Sequence, residues 1–213
     1  MVSSQHPHGG GPVLTRGPAL GEGRLVVLLI HGRGDSAAGI LGLADAFNAP
    51  DVTWLAPQAA GHTWYPYSFL SPIEQNEPGI TSGLRVLAAL AEESASHGVT
   101  AERLVLMGFS QGACLAQEFA TRHARRYRAV VGLSGGLIGP PGTPRDYGGS
   151  LAGTPVFLGC SDIDPHIPVA RVHESAAVFE RMSASVDKRI YPGMGHTVND
   201  DEIAAVQVLL SAP

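Results

Sequence analysis

The sequence predicts an α/β fold with a mostly parallel central sheet and helices on both faces. Three observations carry that prediction. Six short runs rich in Val, Leu and Ile recur along the chain, most of them near-continuously apolar, as strands buried between two helical layers must be. Segments with helical periodicity separate these runs, so strand and helix alternate and successive strands pair in parallel through right-handed crossovers. A chain of 213 residues, 44 % apolar and 15 % charged, is long and apolar enough for one well-buried core.

Taken in order, residues 1–10 (MVSSQHPHGG) read as a flexible tail that holds His6 and His8, followed by a single domain over 11–213. The opening residues lack the basic start and apolar stretch of a secretory signal. The segment 12–22 adds an antiparallel edge strand. The parallel strands are 24–31 (RLVVLLIH), 52–56 (VTWLA), 103–109 (RLVLMGF), 129–134 (AVVGLS), 154–160 (TPVFLGC) and 186–191 (VDKRIY). Helices are expected at 36–48, 79–97, 111–125, 168–184 and 199–211. The longest aliphatic run, Leu25 to Ile30, is far too short to cross a bilayer. Two isolated cysteines, Cys114 and Cys160, match no zinc or redox spacing and suit a reducing compartment, so the expected location is cytoplasmic.

Two connections are long. Residues 57–78 carry Trp64, Tyr65, Tyr67 and Phe69 and begin at a strand's carboxyl end, where ligands bind in open α/β sheets; they are either a pocket wall or packing over the sheet edge. Glu74 and Glu77 in the same loop either repel anionic substrates or face solvent. Residues 135–153 are rich in Gly and Pro.

Gly108-Phe109-Ser110-Gln111-Gly112 matches the G-x-S-x-G elbow of a nucleophilic serine. A second match, Gly132-Leu133-Ser134-Gly135-Gly136, shows how weak the bare pattern is. Context separates them, because the elbow needs a buried strand before it and a helix at once after it. Ser110 has both, whereas GGLIGPPGTP after Ser134 cannot be helical. Ser110 is therefore the candidate nucleophile. The N–H of Gln111, at the start of the next helix, then faces a developing oxyanion. The turn His31-Gly32-Arg33-Gly34-Asp35 should supply the second donor, assigned to the N–H of Arg33, and His31 is placed to brace that turn.

A serine hydroxyl needs a base, and in this fold the order along the chain is Ser, acid, His. Of nine histidines, His166, His173 and His196 follow a plausible acid downstream of Ser110. His173 lies inside a helical pattern and His166 shares a loop with the acids. His196 sits in the glycine-rich YPGMGHTVNDDEI between the last strand and helix and is the expected base. The acid is Asp162 or Asp164. Asp164 is preferred because Pro165 biases it to extended backbone, leaving Asp162 as a turn former or helper. The D-x-D-x-H spacing also fits a metal reading, but no other ligands complete a site, so no metal and no cofactor are expected.

Together HGRGD, APQAAGHTWYPYSFL, GFSQGA, SDIDPHIP and GMGH resemble, in order and spacing, the phospholipase/carboxylesterase family of small α/β-hydrolases, from about Gly11 onward. Bacterial carboxylesterases and eukaryotic acyl-protein thioesterases belong to it. The resemblance implies an α/β-hydrolase fold without a large cap domain, a triad of Ser110, Asp164 and His196, an oxyanion hole from the N–H groups of Arg33 and Gln111, and Trp64 and Tyr65 near the site. Phe69 joins them as a candidate substrate-binding residue. The stretch WYPYSFLSPIEQNEP is closer to the bacterial esterases, so a small or short-chain ester is the expected substrate and acyl thioesterase or lysophospholipase the alternative. A homodimer is compatible with the family.

Other classes fit less well. The formal net charge is -5, and the short cluster Arg122, Arg125, Arg126, Arg128 reads as a helix end, so no nucleic-acid partner is expected. No stretch suggests stable membrane association. Arg33-Gly34-Asp35-Ser36 spells an adhesion-type RGDS, but it coincides with the expected oxyanion turn, so a binding module without catalysis is the remote alternative.

Overall fold

A computed structural model describes residues 6–212. In chain order the elements are β1 (Val13–Arg16), β2 (Leu25–Ile30), α1 (Ala37–Leu41), β3 (Val52–Pro57), α2 (Gly79–Ser96), β4 (Leu104–Phe109), α3 (Gln111–Arg122), β5 (Ala129–Leu133), β6 (Pro155–Ser161), α4 (Val169–Arg181), β7 (Ser185–Tyr191) and α5 (Asp200–Ser211). The strands form one seven-stranded sheet in the order β1-β3-β2-β4-β5-β6-β7. β1 runs antiparallel to β3, and every other neighbouring pair is parallel. This is the arrangement expected of an α/β-hydrolase fold, and among the described residues no large cap domain stands over the sheet.

The period of two along each strand decides which helical layer a side chain meets. Val26, Leu28 and Ile30 of β2 join Leu87, Leu115, Phe119 and Phe179 in one apolar cluster, the layer of α2, α3 and α4. Leu25, Val27 and Leu29 join Ile40, Val206 and Leu210 in a second, the layer of α1 and α5. All six β2 residues are buried, and burying each such side chain contributes roughly 1.5–3 kcal/mol.

Strand order places the site. After β2 the chain moves outward to β3, then returns to lay β4 on the other side of β2. The connections leaving the carboxyl ends of β2 and β4 diverge there, and a crevice opens between them. Ile30 and Gly108 are register partners, so the turn after β2 and the turn after β4 start side by side.

Two segments differ from the sequence reading. The helix expected over 36–48 ends at Leu41 and continues only as a 3-10 turn, Gly42–Ala46. Two glycines within four residues weaken it, and Pro50 bars its extension. The tail expected over 1–10 is packed over its described part. His8 is 5 % exposed and is bonded to Trp64 and Ala60, and His6 is bonded to Ser82. Residues 1–5 lie outside the described residues. Among the described residues, no helix is long and apolar enough to cross a membrane.

Candidate active site

Ser110 sits at the junction of β4 and α3 with φ 55° and ψ -120°. A side chain rarely adopts such backbone, and here the fold over-determines it. A Cβ on Gly108 would stand 2.4 Å from the Gly112 backbone, and one on Gly112 would stand 2.1 Å from the Ile30 carbonyl oxygen. Only glycine on either side lets strand, turn and helix pass this close. Ser134 also has a positive φ of 50°, but it is fully buried, no helix follows it, and its N–H donates to the Gly159 carbonyl.

His196 and Asp164 approach Ser110 from the loops after β7 and β6. His196 Nε2 lies 2.9 Å from Ser110 Oγ, and His196 Nδ1 lies 2.7 Å from Asp164 Oδ2. Asp164 Oδ1 accepts the N–H groups of His166 at 2.8 Å and Ile167 at 3.0 Å. Burial works to raise this carboxyl, but the hydrogen bonds from His196 and the two N–H groups outweigh it and hold it below the usual carboxylate range. An ionised Asp164 can only accept, so Nδ1 of His196 carries a proton and Nε2 is left to accept from the Ser110 hydroxyl.

Asp162 is turned elsewhere. Its Oδ1 accepts the Gly193 N–H at 2.8 Å, and Ser161 Oγ accepts the Gly195 N–H at 3.1 Å. These two bonds tie the His196 loop to the loop that carries Asp164. His173 is an exposed residue of α4, and the His166 ring packs edge-on against His196 with centroids 4.8 Å apart. Among the described residues, no group of three or more His, Cys, Asp or Glu is arranged to hold a metal ion.

Arg33 and Gln111 both line the cleft beside Ser110. Gly34 N–H and Asp35 N–H are bonded to the carbonyls of His62 and Gly32, whereas the N–H groups of Arg33 and Gln111 have no protein acceptor among the described residues. Both side chains grip the aromatic loop. Gln111 Oε1 accepts the Trp64 N–H at 2.8 Å and its Nε2 donates to the Tyr65 carbonyl at 2.8 Å. The Arg33 guanidinium donates to the carbonyls of Pro66 and Tyr67.

The cleft encloses about 590 Å³, with Tyr65, Phe69, Phe109, His166 and Ile167 among its walls. Trp64 does not line it, which corrects the expectation that it contacts substrate. It is 0 % exposed, its indole N–H donates to the His31 carbonyl at 3.0 Å, and its ring lies 5.2 Å from those of both His8 and His31. Trp64 thus supports the turn that carries Arg33. Glu74 and Glu77 do not line the cleft either: Glu74 is exposed, and Glu77 accepts the Thr81 N–H and hydroxyl at the start of α2.

Asn76 escaped the sequence reading. It is fully buried, accepts the Tyr67 N–H at 2.8 Å and donates to the Ser68 carbonyl at 2.8 Å, so it folds the aromatic loop over the cleft. An asparagine in a polar stretch, EQNEP, carries no signal of that role. Cys114 and Cys160 are both buried free thiols, pushed up to about 11 and about 12 chiefly by burial.

The pattern of the phospholipase/carboxylesterase family matches residues 21–212. Acyl-protein thioesterase 1 of Yarrowia lipolytica is 26 % identical over 208 residues, spanning 89 % of this chain and 92 % of that protein. The namesake from Kluyveromyces lactis is 28 % identical over 210 residues, spanning 87 % and 90 %. Among solved structures, a phospholipase/carboxylesterase from Dyadobacter fermentans superposes with a TM-score of 0.91 at 38 % identity, over 95 % of this chain and 97 % of that one. A carboxylesterase from Mesorhizobium loti gives 0.71 at 25 % identity, over 90 % of each chain.

Proposed function

The chain belongs to the phospholipase/carboxylesterase family of serine hydrolases, and on that premise we propose that it hydrolyses small carboxylic esters with Ser110 as nucleophile, His196 as base and Asp164 as orienting acid. The observation that carries this reading is the unbroken run of hydrogen bonds from Ser110 Oγ through the imidazole to Asp164.

In the proposed reaction His196 Nε2 takes the hydroxyl proton as Ser110 Oγ attacks the ester carbonyl. Asp164 holds the tautomer and stabilises the imidazolium that forms. The oxyanion is received by the N–H groups of Arg33 and Gln111, whose lack of protein acceptors supports that role. His196 then gives its proton to the leaving alcohol. Water, activated by the same histidine, attacks the acyl-enzyme and releases the acid. The chemistry closes with no cofactor. Tyr65 and Phe69 line the cleft as substrate contacts.

Thioester hydrolysis is the second reading, favoured by the acyl-protein thioesterases among the relatives; the same triad would serve it. Hydrolysis of 4-nitrophenyl esters from acetyl to palmitoyl, beside matched acyl thioesters, separates the two. The expected result is preference for short oxygen esters, abolished in Ser110→Ala. A preference for thioesters or long chains would move the assignment to thioesterase or lysophospholipase.

A further inference from the structure

Among the described residues, the Arg33 guanidinium at the cleft has no anionic partner. Nη1 donates to the Pro66 carbonyl at 2.7 Å and Nη2 to the Tyr67 carbonyl at 2.5 Å. These bonds use two of the five N–H donors of a guanidinium, leaving Nε–H and one N–H on each terminal nitrogen. Arg33 makes no ion pair among the described residues. The group is nevertheless fixed, gripped on one edge by two main-chain carbonyls and with its central carbon 6.0 Å from the Tyr65 ring centroid.

Neither nearby carboxylate forms an ion pair with Arg33 among the described residues. Asp35 also lines the cleft, but its Oδ1 fills the space where a Cβ on Gly39 would sit, 2.0 Å away, so it rests against the first turn of α1. Asp164 is taken by His196. Glu74 and Glu77 of the aromatic loop do not line the cleft. A chain of net charge -5 thus holds a positioned, unneutralised cation beside its candidate nucleophile.

We propose that Arg33 is a specificity-determining residue, and that the cleft takes esters bearing a second, ionised carboxylate, which the free donors of Arg33 bind. This deepens, and rests on, the esterase reading. The planar fork of a guanidinium matches a carboxylate, and a fork already immobilised loses little further freedom when it binds one.

The test compares two esters of equal chain length, 4-nitrophenyl hexanoate and mono-4-nitrophenyl adipate, which differ by a terminal carboxylate. Arg33→Gln keeps the main-chain N–H and can still donate to the loop; Arg33→Lys keeps the charge without the fork. The readout is the ratio of kcat/KM for the anionic over the neutral ester, which cancels a general loss from a loosened loop. The wild type is expected to favour the anionic ester, with the ratio falling about tenfold in Arg33→Gln, less in Arg33→Lys, and declining with added salt. A ratio unchanged by Arg33→Gln would overturn the proposal while leaving the esterase reading intact. Failure of the wild type to hydrolyse either ester while it hydrolyses 4-nitrophenyl acetate would overturn this proposal alone; failure on all three would overturn the esterase reading and this proposal with it.

Discussion

Gly159 in β6 has no side chain where the carboxyl of Glu202 in α5 needs the space: a Cβ there would stand 2.0 Å from Glu202 Oε1. Glu202 is 0 % exposed, its Oε2 accepts the Asn199 N–H in a capping box, and its Oε1 has no hydrogen-bond partner among the described residues. Burial raises this carboxyl from 4.5 to about 7. The folded chain keeps a proton there that the unfolded chain has released. The resulting stability is complete below about pH 4.5 and is lost as pH rises through 7. From pH 5 to pH 8 the wild type should lose on the order of 3 kcal/mol relative to Glu202→Gln, whose amide does not titrate. Denaturant unfolding of both proteins at the two pH values checks this; parallel pH profiles would refute it.

His8 and His31 should behave in the opposite sense. The Ala60 N–H donates to His8 Nδ1, and the Ala59 N–H donates to His31 Nε2. Each ring is thereby held neutral, with its other nitrogen donating to a carbonyl, of Trp64 or Gly32. Burial lowers both from 6.5. The folded state resists protonation that the unfolded state accepts, so their contribution is complete above pH 6.5 and is lost as pH falls toward their folded values. Proton NMR titration should show both rings with midpoints below 6.5. A midpoint at or above 6.5 for either would contradict the assigned tautomers.

The two neighbouring aspartates should separate in kinetics. Asp164→Asn leaves the imidazole in the wrong tautomer and should reduce kcat by about 10⁴-fold. Asp162→Ala removes only the bond to Gly193 and loosens the His196 loop, for which about tenfold is expected. Steady-state rates on one short-chain ester decide it. If Asp162→Ala proved the more damaging, the orienting acid would have to be reassigned.

Gln111→Ala keeps the N–H proposed for the oxyanion and removes the grip on residues 63–65. The buried Trp64 N–H is left unpaired, which should cost about 1–3 kcal/mol of stability, while the Tyr65 carbonyl keeps the Thr63 hydroxyl as a donor. KM should rise several-fold while kcat changes less, because the loop and not the nucleophile is disturbed. Equal falls in kcat and kcat/KM would instead mean that the side chain acts in the transition state.

Most of the frame was legible because buried parallel strands leave continuous apolar runs. β2 over Leu25–Ile30 and β4 over Leu104–Phe109 fall inside the expected segments, and α3 begins at Gln111 as the elbow requires. What escaped depends on contacts between distant segments. Nothing in HPHGG announces that His8 would be buried against Trp64, or that Trp64 would lie beneath the cleft wall while Tyr65 faces it. The aromatic loop looked uniform because its two sides are sorted by Asn76, Gln111 and Arg33, which lie 8 to 48 residues away from their loop partners.

The central claim is that Ser110 is the nucleophile activated by His196. Treatment with a diaryl fluorophosphonate or similar organophosphate, followed by intact mass measurement and peptide mapping, tests it without assuming any substrate. The account predicts one adduct, on Ser110, absent in Ser110→Ala and formed far more slowly in His196→Ala. An adduct on Ser134 or elsewhere, or labelling that survives in Ser110→Ala, would contradict it.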